Sequence, residues 1–319
     1  MKPILEAARS RAASSCPSEY VFHDPSNGAS GEPCRFPRPG EEPSKLLSVV
    51  VPAYNEELRL PAMLDFALDY LREQADKDSS YTYEVLVVDD GSTDGTAALV
   101  DSYTKRLGPD AVRLLRLRGN QGKGSAVKKG MLRSRGRYLL MADADAATDI
   151  EDLGHLLARL KQVQASAGGE LHGVAVGSRA HLQDKAVATR AFHRTVLMFG
   201  FHVAVALLCS RKVQDTQCGF KLFTRDTARV LFTTLRLDRW AFDVELVYLC
   251  DRLHIPMTEV AVNWREVPGS KLITSKLDVI TTSAAMLRDM VCVNLCYTLG
   301  LWRVTTPPAP GLPGGCDVM

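Results

Sequence analysis

A chain of 319 residues, 46% hydrophobic and 24% charged, is long enough to bury a substantial core and to hold one large or two medium domains. Its formal net charge of +2 argues against a dedicated nucleic-acid binder. Eight cysteines are scattered without paired metal spacing, the pattern of reduced, buried thiols in a cytosol-facing protein.

Residues 1–45 are rich in Ser, Pro and Gly, show no signal-peptide pattern, and read as a flexible lead-in. From there strand and helix patterns alternate. Residues 46–51 (LLSVVV) predict a first strand, and 61–73 carry a helical stripe of Met63, Leu64, Ala67, Leu68 and Leu71. Residues 83–88 (YEVLVV) predict the second strand, and 93–107 a helix for which Asp90 or Ser92 is available as a cap. A third strand is expected over 112–117, a helix over 123–133, and a fourth strand over 138–141. Fully apolar strands separated by helices imply a mostly parallel sheet flanked by helices on both faces. The folded unit is expected over 46–302, with a nucleotide half to 148, an acceptor half from 149, and a flexible tail over 303–319.

In such sheets ligands bind beyond the carboxyl ends of the strands. Here those ends read PAYNEE (52–57), DDGSTDG (89–95) and Asp143-Ala144-Asp145. Two acids flanking one small residue can approach a divalent cation together, or divide metal and ribose between them. Alone, such a pair also starts turns and caps helices. Three acid-bearing loops on one sheet edge suit a nucleotide, with base and ribose at the first two and diphosphate with metal at the third. The Gly122-Lys123-Gly124 turn opens a helix whose N–H groups favour an anion, although it lacks the spacing of a P-loop. Nine Lys and Arg with no acid fall between Arg113 and Arg137. They read as a solvated face, with Lys123 the member placed to meet a phosphate.

No stretch reaches the roughly 18–20 apolar residues of a spanning helix. Residues 196–209 and 290–302 are the longest apolar runs. Length makes each a core helix; the basic flanks of the first (Lys185, Arg190, His193, Arg194, Arg211, Lys212) suit a helix lying in a membrane interface.

The segments VVVPAYNEELRLP (49–61), VLVVDDGSTDGT (85–96), NQGKGSAVKKG (120–130) and LMADADAAT (140–148) resemble the family 2 glycosyltransferases of the GT-A fold. GSRAHL (177–182), DTQCGFKLF (215–223), RWAFDVELV (239–247) and VNWREVPGSKL (262–272) are similar to its polyprenyl-phosphate branch, and best to the dolichyl-phosphate glucosyl members. The resemblance implies transfer of glucose from UDP-glucose to dolichyl phosphate with inversion, giving the lipid-linked glucose donor for N-glycan assembly. It also implies a divalent metal, Mg2+ or Mn2+, and a place at the cytosolic face of the endoplasmic reticulum membrane. Carried over residue by residue, it implies nucleotide-sugar contacts at Pro52, Tyr54, Glu56, Asp89, Lys123, Asp143 and Ala144, and metal contacts at Asp143 and Asp145. Arg179, Arg265 and Lys271 match phosphate-holding positions. Ala147 stands where related mannosyl enzymes often carry a polar ligand, which leaves the metal shell to water or another loop. Members of that branch usually carry a spanning segment before the domain, and residues 1–45 contain none, so interfacial helices or a partner would hold the chain at the membrane, or its start is not the family's usual one.

A phosphate monoester has a second pKa of about 6, so the acceptor oxygen is a competent nucleophile without a strong base. Asp145, Asp215 and Asp243 are the acids offered to the reaction, the last two for orienting the acceptor or the oxocarbenium-like centre. Asp215 as a turn acid and Asp243 as a buried structural partner stand beside those roles. Trp240, Phe242 and Trp264 read as core or as the floor of a sugar pocket. Two other functions stay open, a GDP-mannose-dependent mannosyl relative and a catalytically silent nucleotide-sugar-binding subunit.

Overall fold

The computed structural model describes residues 17–25, 33–38, 40–166, 172–182, 209, 212–267 and 276–305. A short antiparallel pair, β1 (Val21–Phe22) with β2 (Cys34–Arg35), precedes the main sheet. The main sheet contains β3 (Lys45–Ala53), β4 (Tyr83–Asp89), β5 (Val112–Arg116), β6 (Gly136–Met141), β7 (Val174–Ser178), β8 (Lys221–Thr224) and β9 (Met257–Ala261). Their order is β5-β4-β3-β6-β8-β7-β9. The first four run parallel, β8 runs antiparallel to β6 and β7, and β9 is parallel to β7. The expected α/β architecture is therefore present, with a mostly parallel sheet.

Side chains alternate across a strand, and β3 shows the consequence. Val49, Val51 and Ala53 enter one core, with the stripe Leu60, Met63, Leu64, Ala67, Leu68 and Leu71 of α1 (Leu60–Lys77). Val100 of α2 (Thr96–Leu107) and Leu153, Leu156 and Leu160 of α4 (Asp152–Ser166) fill out the same layer. Val50 enters the opposite core with Ala126, Val127 and Met131 of α3 (Lys123–Met131). That core also takes α5 (Arg225–Thr234), α6 (Phe242–Arg252) and α7 (Lys276–Thr298). A Cβ on Gly130 would lie 2.5 Å from Val50 Cγ1, so α3 sits against the sheet at a distance only glycine permits.

Several expectations are corrected. Neither Asp90 nor Ser92 caps α2; Asp94 accepts from the Thr96 N–H (3.0 Å), because Ser92 and Asp90 are taken up by other loops. The basic run is a solvated face only in part, with Arg116, Arg118 and Arg137 exposed. Arg113 pairs with buried Glu84, Arg116 with Asp101 at 3.0 Å, Lys129 with Glu19 at 2.6 Å, and Arg135 with Glu84 at 2.8 Å. These charges are matched by acids distant in sequence, which local reading cannot supply, while Lys128 and Arg133 donate to the backbone carbonyls of Leu235 and Glu19. Part of the lead-in is packed as well, since Glu19 and Phe36 are both buried.

The second apolar run forms the end of α7 and the residues just after it, with Met290, Val293, Cys296 and Tyr297 in the core and Leu295 exposed, as is Leu287 earlier on α7. Cys292 and Cys296 are buried thiols with Sγ atoms 3.6 Å apart. The first run, apart from Cys209, lies outside the described residues, as does Lys271. Among the described residues no helix is long and apolar enough to cross a membrane.

Candidate active site

Three loops meet at the carboxyl ends of β3, β4 and β6. The first two are laced together by the donors and acceptors their turn residues supply. Asn55, held at φ 55, accepts from Thr93 N–H at 2.7 Å, and its own N–H donates to Ser92 Oγ at 2.8 Å. Glu56 N–H donates to Thr96 Oγ1 at 2.8 Å. A cavity of about 370 Å³ opens above them. Of the nucleotide residues expected from sequence, Pro52, Tyr54, Glu56, Lys123, Asp143 and Ala144 line it, together with Asp145. Asp89 lies beneath the lining, buried, with its Oδ1 accepting from Ser92 N–H at 2.9 Å.

Asp90 lines the cavity and resolves the glycine turn differently from expectation. Its two carboxylate oxygens accept from Gln121 N–H (2.8 Å) and Gly122 N–H (2.9 Å). Ser125 N–H donates to the Asp238 carbonyl at 3.0 Å. Most of the turn's donors are thus used inside the protein, and the anion held there is Asp90. Burial pushes Asp90 above the usual carboxylate range, against those N–H groups.

Lys123 sits at the start of α3 with Nζ 2.6 Å from Asp143 Oδ1 and 5.7 Å from the Trp240 ring centroid. Burial alone would lower its pKa; Asp143, Asp243 and Asp145 raise it. Asp143 itself is admitted by Gly219, where a Cβ would fall 2.1 Å from Asp143 Oδ2. Asp145 accepts from Ala147 N–H at 3.0 Å and faces Arg59 Nη1 at 3.7 Å. Arg59, not singled out from sequence, is locked by Glu56 (2.7 and 2.5 Å), whose hydrogen bond raises its pKa. The Glu56-x-x-Arg59 spacing at a helix start was the available signal.

Asp215 and Arg179 are brought together. The Asp215 carboxylate takes Arg179 Nε at 2.7 Å, Nη2 at 2.9 Å and the Arg179 N–H at 3.0 Å. Burial opposes ionisation, but Arg179 holds Asp215 below the usual carboxylate range, making it a poor base. Asp243 is buried behind Lys123, with Lys221 Nζ at 2.5 Å. Burial raises its pKa against the pull of Lys221 and Lys123. Glu245, also fully buried, takes the N–H groups of Arg236 (3.0 Å) and Leu237 (2.8 Å) and the Tyr297 hydroxyl (2.8 Å). Phe242 is core, whereas Trp240 lines the cavity.

A second cavity, of about 550 Å³, opens on the other side of Asp143. Met63, Phe66 and Phe220 give it apolar walls, Trp264 and Arg265 close one side, and the acids Asp69, Glu73, Asp149 and Glu151 also line it. Arg265 N–H donates to the Ala147 carbonyl at 2.9 Å, so the segment after β9 is tied to the acid-bearing loop. The Arg265 guanidinium lies 6.0 Å from the Phe66 ring centroid, and that of Arg179 lies 5.6 Å from Trp264. Among the described residues no three His, Cys, Asp or Glu side chains gather as a metal cluster.

The model of glycosyl transferase family 2 matches residues 48–232. The chain belongs to glycosyl transferase family 2. The matched segment carries all three loops and both Asp143 and Asp145. This family 2 chain is 48% identical to the dolichyl-phosphate beta-glucosyltransferase of Dictyostelium discoideum over 279 residues, 86% of this chain and 83% of that protein. To the protein of that name from Drosophila melanogaster it is 50% identical over 271 residues, covering 85% and 81%. For the Homo sapiens protein the figures are 45% over 276 residues, 86% and 83%. Among solved structures, glucosyl-3-phosphoglycerate synthase from Mycobacterium tuberculosis in complex with uridine diphosphate matches with a TM-score of 0.53 at 19% identity, over 81% of each chain. That likeness shows the shared fold, and the chain is a glycosyltransferase with a GT-A-like sheet.

Proposed function

We propose that this chain transfers glucose from UDP-glucose to dolichyl phosphate, with inversion at the anomeric carbon, at the cytosolic face of the endoplasmic reticulum membrane. The observation that carries the reading is the meeting of two cavities at Asp143. One is lined by the nucleotide loops and Lys123; the other joins apolar side chains and Arg265 on one part of its wall to acids, Asp69, Glu73, Asp149 and Glu151, on another. A nucleotide-sugar in the first and a lipid phosphate in the second would bring C1 of the sugar and the acceptor oxygen to opposite sides of one point. Relatives at 45–50% identity bearing the dolichyl-phosphate beta-glucosyltransferase name support the choice of substrates.

The chain's own groups then divide the work. The acceptor phosphate is largely ionised at neutral pH, so alignment and charge stabilisation matter more than proton removal. Arg265 faces the acceptor phosphate, its guanidinium 6.0 Å from the Phe66 ring centroid. Asp215 holds Arg179 beside Trp264 rather than acting as a base. Lys123 is placed to meet the negative charge that develops on the leaving diphosphate.

Asp143 and Asp145 suit a divalent cation. Asp143 Oδ1 is shut off from solvent and, among the described residues, meets no hydrogen-bond donor apart from the Lys123 ion pair. Mg2+ characteristically takes one or two carboxylates and completes its shell with substrate phosphates and water, which accommodates Ala147. When bound, such an ion would neutralise diphosphate charge. Seating at a membrane is supported by Leu287, Leu295, Leu299 and Leu301, all exposed along and just after α7.

The direct test incubates the protein with dolichyl phosphate, Mg2+ or Mn2+, and labelled UDP-glucose or GDP-mannose. Labelled lipid is expected from UDP-glucose, and is expected to vanish in Asp145→Asn with the fold retained. Product from GDP-mannose alone would overturn the glucosyl assignment. Nucleotide-sugar binding without product from either donor would favour a silent subunit.

A further inference from the structure

Glu19 stands ahead of the residues matched by the family model, yet it is buried against the donor loop. Its Oε1 accepts from Gln121 Nε2 at 3.1 Å and its Oε2 from Lys129 Nζ at 2.6 Å. Lys129 Nζ also donates to Gln121 Oε1, at 2.6 Å. The Gln121 side chain is thus gripped at both its oxygen and its nitrogen. Its backbone N–H is fixed to Asp90, as is that of Gly122. Beyond it the turn has no slack, because a Cβ on Gly122, at φ 99, would lie 2.4 Å from the Asp238 carbonyl oxygen. The next residue is Lys123.

The segment around Glu19 is fastened separately. Its carbonyl accepts from Arg133 Nε at 2.6 Å, and the Arg133 guanidinium lies 4.7 Å from the Tyr20 ring centroid. A buried ion pair such as Glu19–Lys129 adds little net stability over an apolar pair of similar size, because both charges are desolvated. What the pair does supply is direction, since charged partners hold the amide of Gln121 in one orientation.

We infer that Glu19 is a positioning residue for the donor site, acting through Gln121 to set Gly122 and Lys123 at the cavity wall. This rests on the reading that the cavity beside Lys123 takes the nucleotide-sugar. The N-terminal segment is then a working part of the donor site and not an attachment to it.

The test measures UDP affinity by titration calorimetry, and KM and kcat for UDP-glucose, in the full chain. Three variants are compared with wild type: Glu19→Gln, the double variant Glu19→Leu/Lys129→Met, and Lys123→Ala. The double variant removes both buried charges together, so a stranded ion does not confound stability, and half-buried Gln121 can reach water. Both Glu19 variants are expected to weaken UDP and raise the UDP-glucose KM about tenfold, the scale of a charge-assisted hydrogen bond, with kcat changed by less than about threefold. A lowered thermal midpoint with unchanged UDP affinity and KM would make Glu19 purely structural and overturn the inference. If the double variant fails to fold, Glu19→Gln decides by the same readouts. Lys123→Ala separates the two levels. Impaired UDP binding there, with normal binding in the Glu19 variants, rejects Glu19 alone. Normal binding in Lys123→Ala rejects the cavity assignment and the Glu19 inference with it.

Discussion

At the scale of single residues, the site depends on close approaches that only particular side chains allow. Gly219 is the sharpest case. Any Cβ there collides with the Asp143 carboxylate, so Gly219→Ala must push that carboxylate away from Lys123. A displacement of about 1 Å at a reacting centre costs roughly a hundredfold in rate, and kcat is expected to fall by about that much with an unchanged circular dichroism spectrum. Turnover within threefold of wild type would show that Asp143 is not needed where it stands. Glu245 offers a second test. Burial pushes its carboxyl up to about 7, against the N–H groups of Arg236 and Leu237, the Tyr297 hydroxyl and the charge of Lys128. A folded-state pKa above the unfolded value means that the folded chain holds the proton to higher pH. The contribution of Glu245 is therefore fully present below about 4.5 and lost as pH rises through about 7. Urea midpoints of wild type and Glu245→Gln should diverge between pH 5 and pH 8, with wild type losing ground at the higher pH. A pH-independent gap would refute the raised carboxyl.

At the scale of elements, the strands were legible because four mostly apolar runs separated by helical patterns are buried on both faces. The stripe of α1 was legible for the same reason, each predicted position being in the core. The partners of charged residues were not. Lys129 meets Glu19 and Arg135 meets Glu84 across long stretches of chain, and no local pattern contains such pairs. α7 was ambiguous because it is apolar on both sides, which periodicity cannot divide into a core face and an outer face. The structure does divide it, leaving Leu287 and Leu295 outside with Leu299 and Leu301 just beyond. Leu295→Glu/Leu299→Glu should abolish co-sedimentation with vesicles containing anionic lipid while leaving the thermal midpoint within about 3 °C, as surface substitutions do. Unchanged sedimentation would remove this face from the membrane proposal.

At the scale of the whole molecule, the donor loops stand at one end of the sheet and a buried charge cluster closes the other. Glu84 accepts from Ser48 Oγ (2.6 Å), from Arg135 N–H (2.6 Å) and from the Arg113 guanidinium. Ser48 in turn accepts from Gly136 N–H at 2.7 Å. Three strands and the approach to a fourth are thereby pinned through one carboxylate. Glu84→Leu strands buried Arg113, while Arg135 keeps Asp110 at 2.9 Å, and should cost about 3–5 kcal/mol in urea denaturation, a large share of a typical domain's stability. A loss below 1 kcal/mol would mean that Arg113 finds water instead. Donor loops were readable from acids placed after apolar strands. This cluster was not, since an isolated Glu within an apolar strand carries no sign of its partners.

The antiparallel strand β8 separates this fold from an assembly of two lobes. It comes from the acceptor half, yet it is hydrogen-bonded between β6 and β7 and thereby fuses both halves into one continuous sheet. No hinge can run between them without breaking backbone ladders. Clamshell closure of the kind seen where a ligand sits between independent domains is therefore denied to this molecule. Gating of the site must come from loops and side chains alone, and the distance between the two cavities is a fixed dimension of the scaffold.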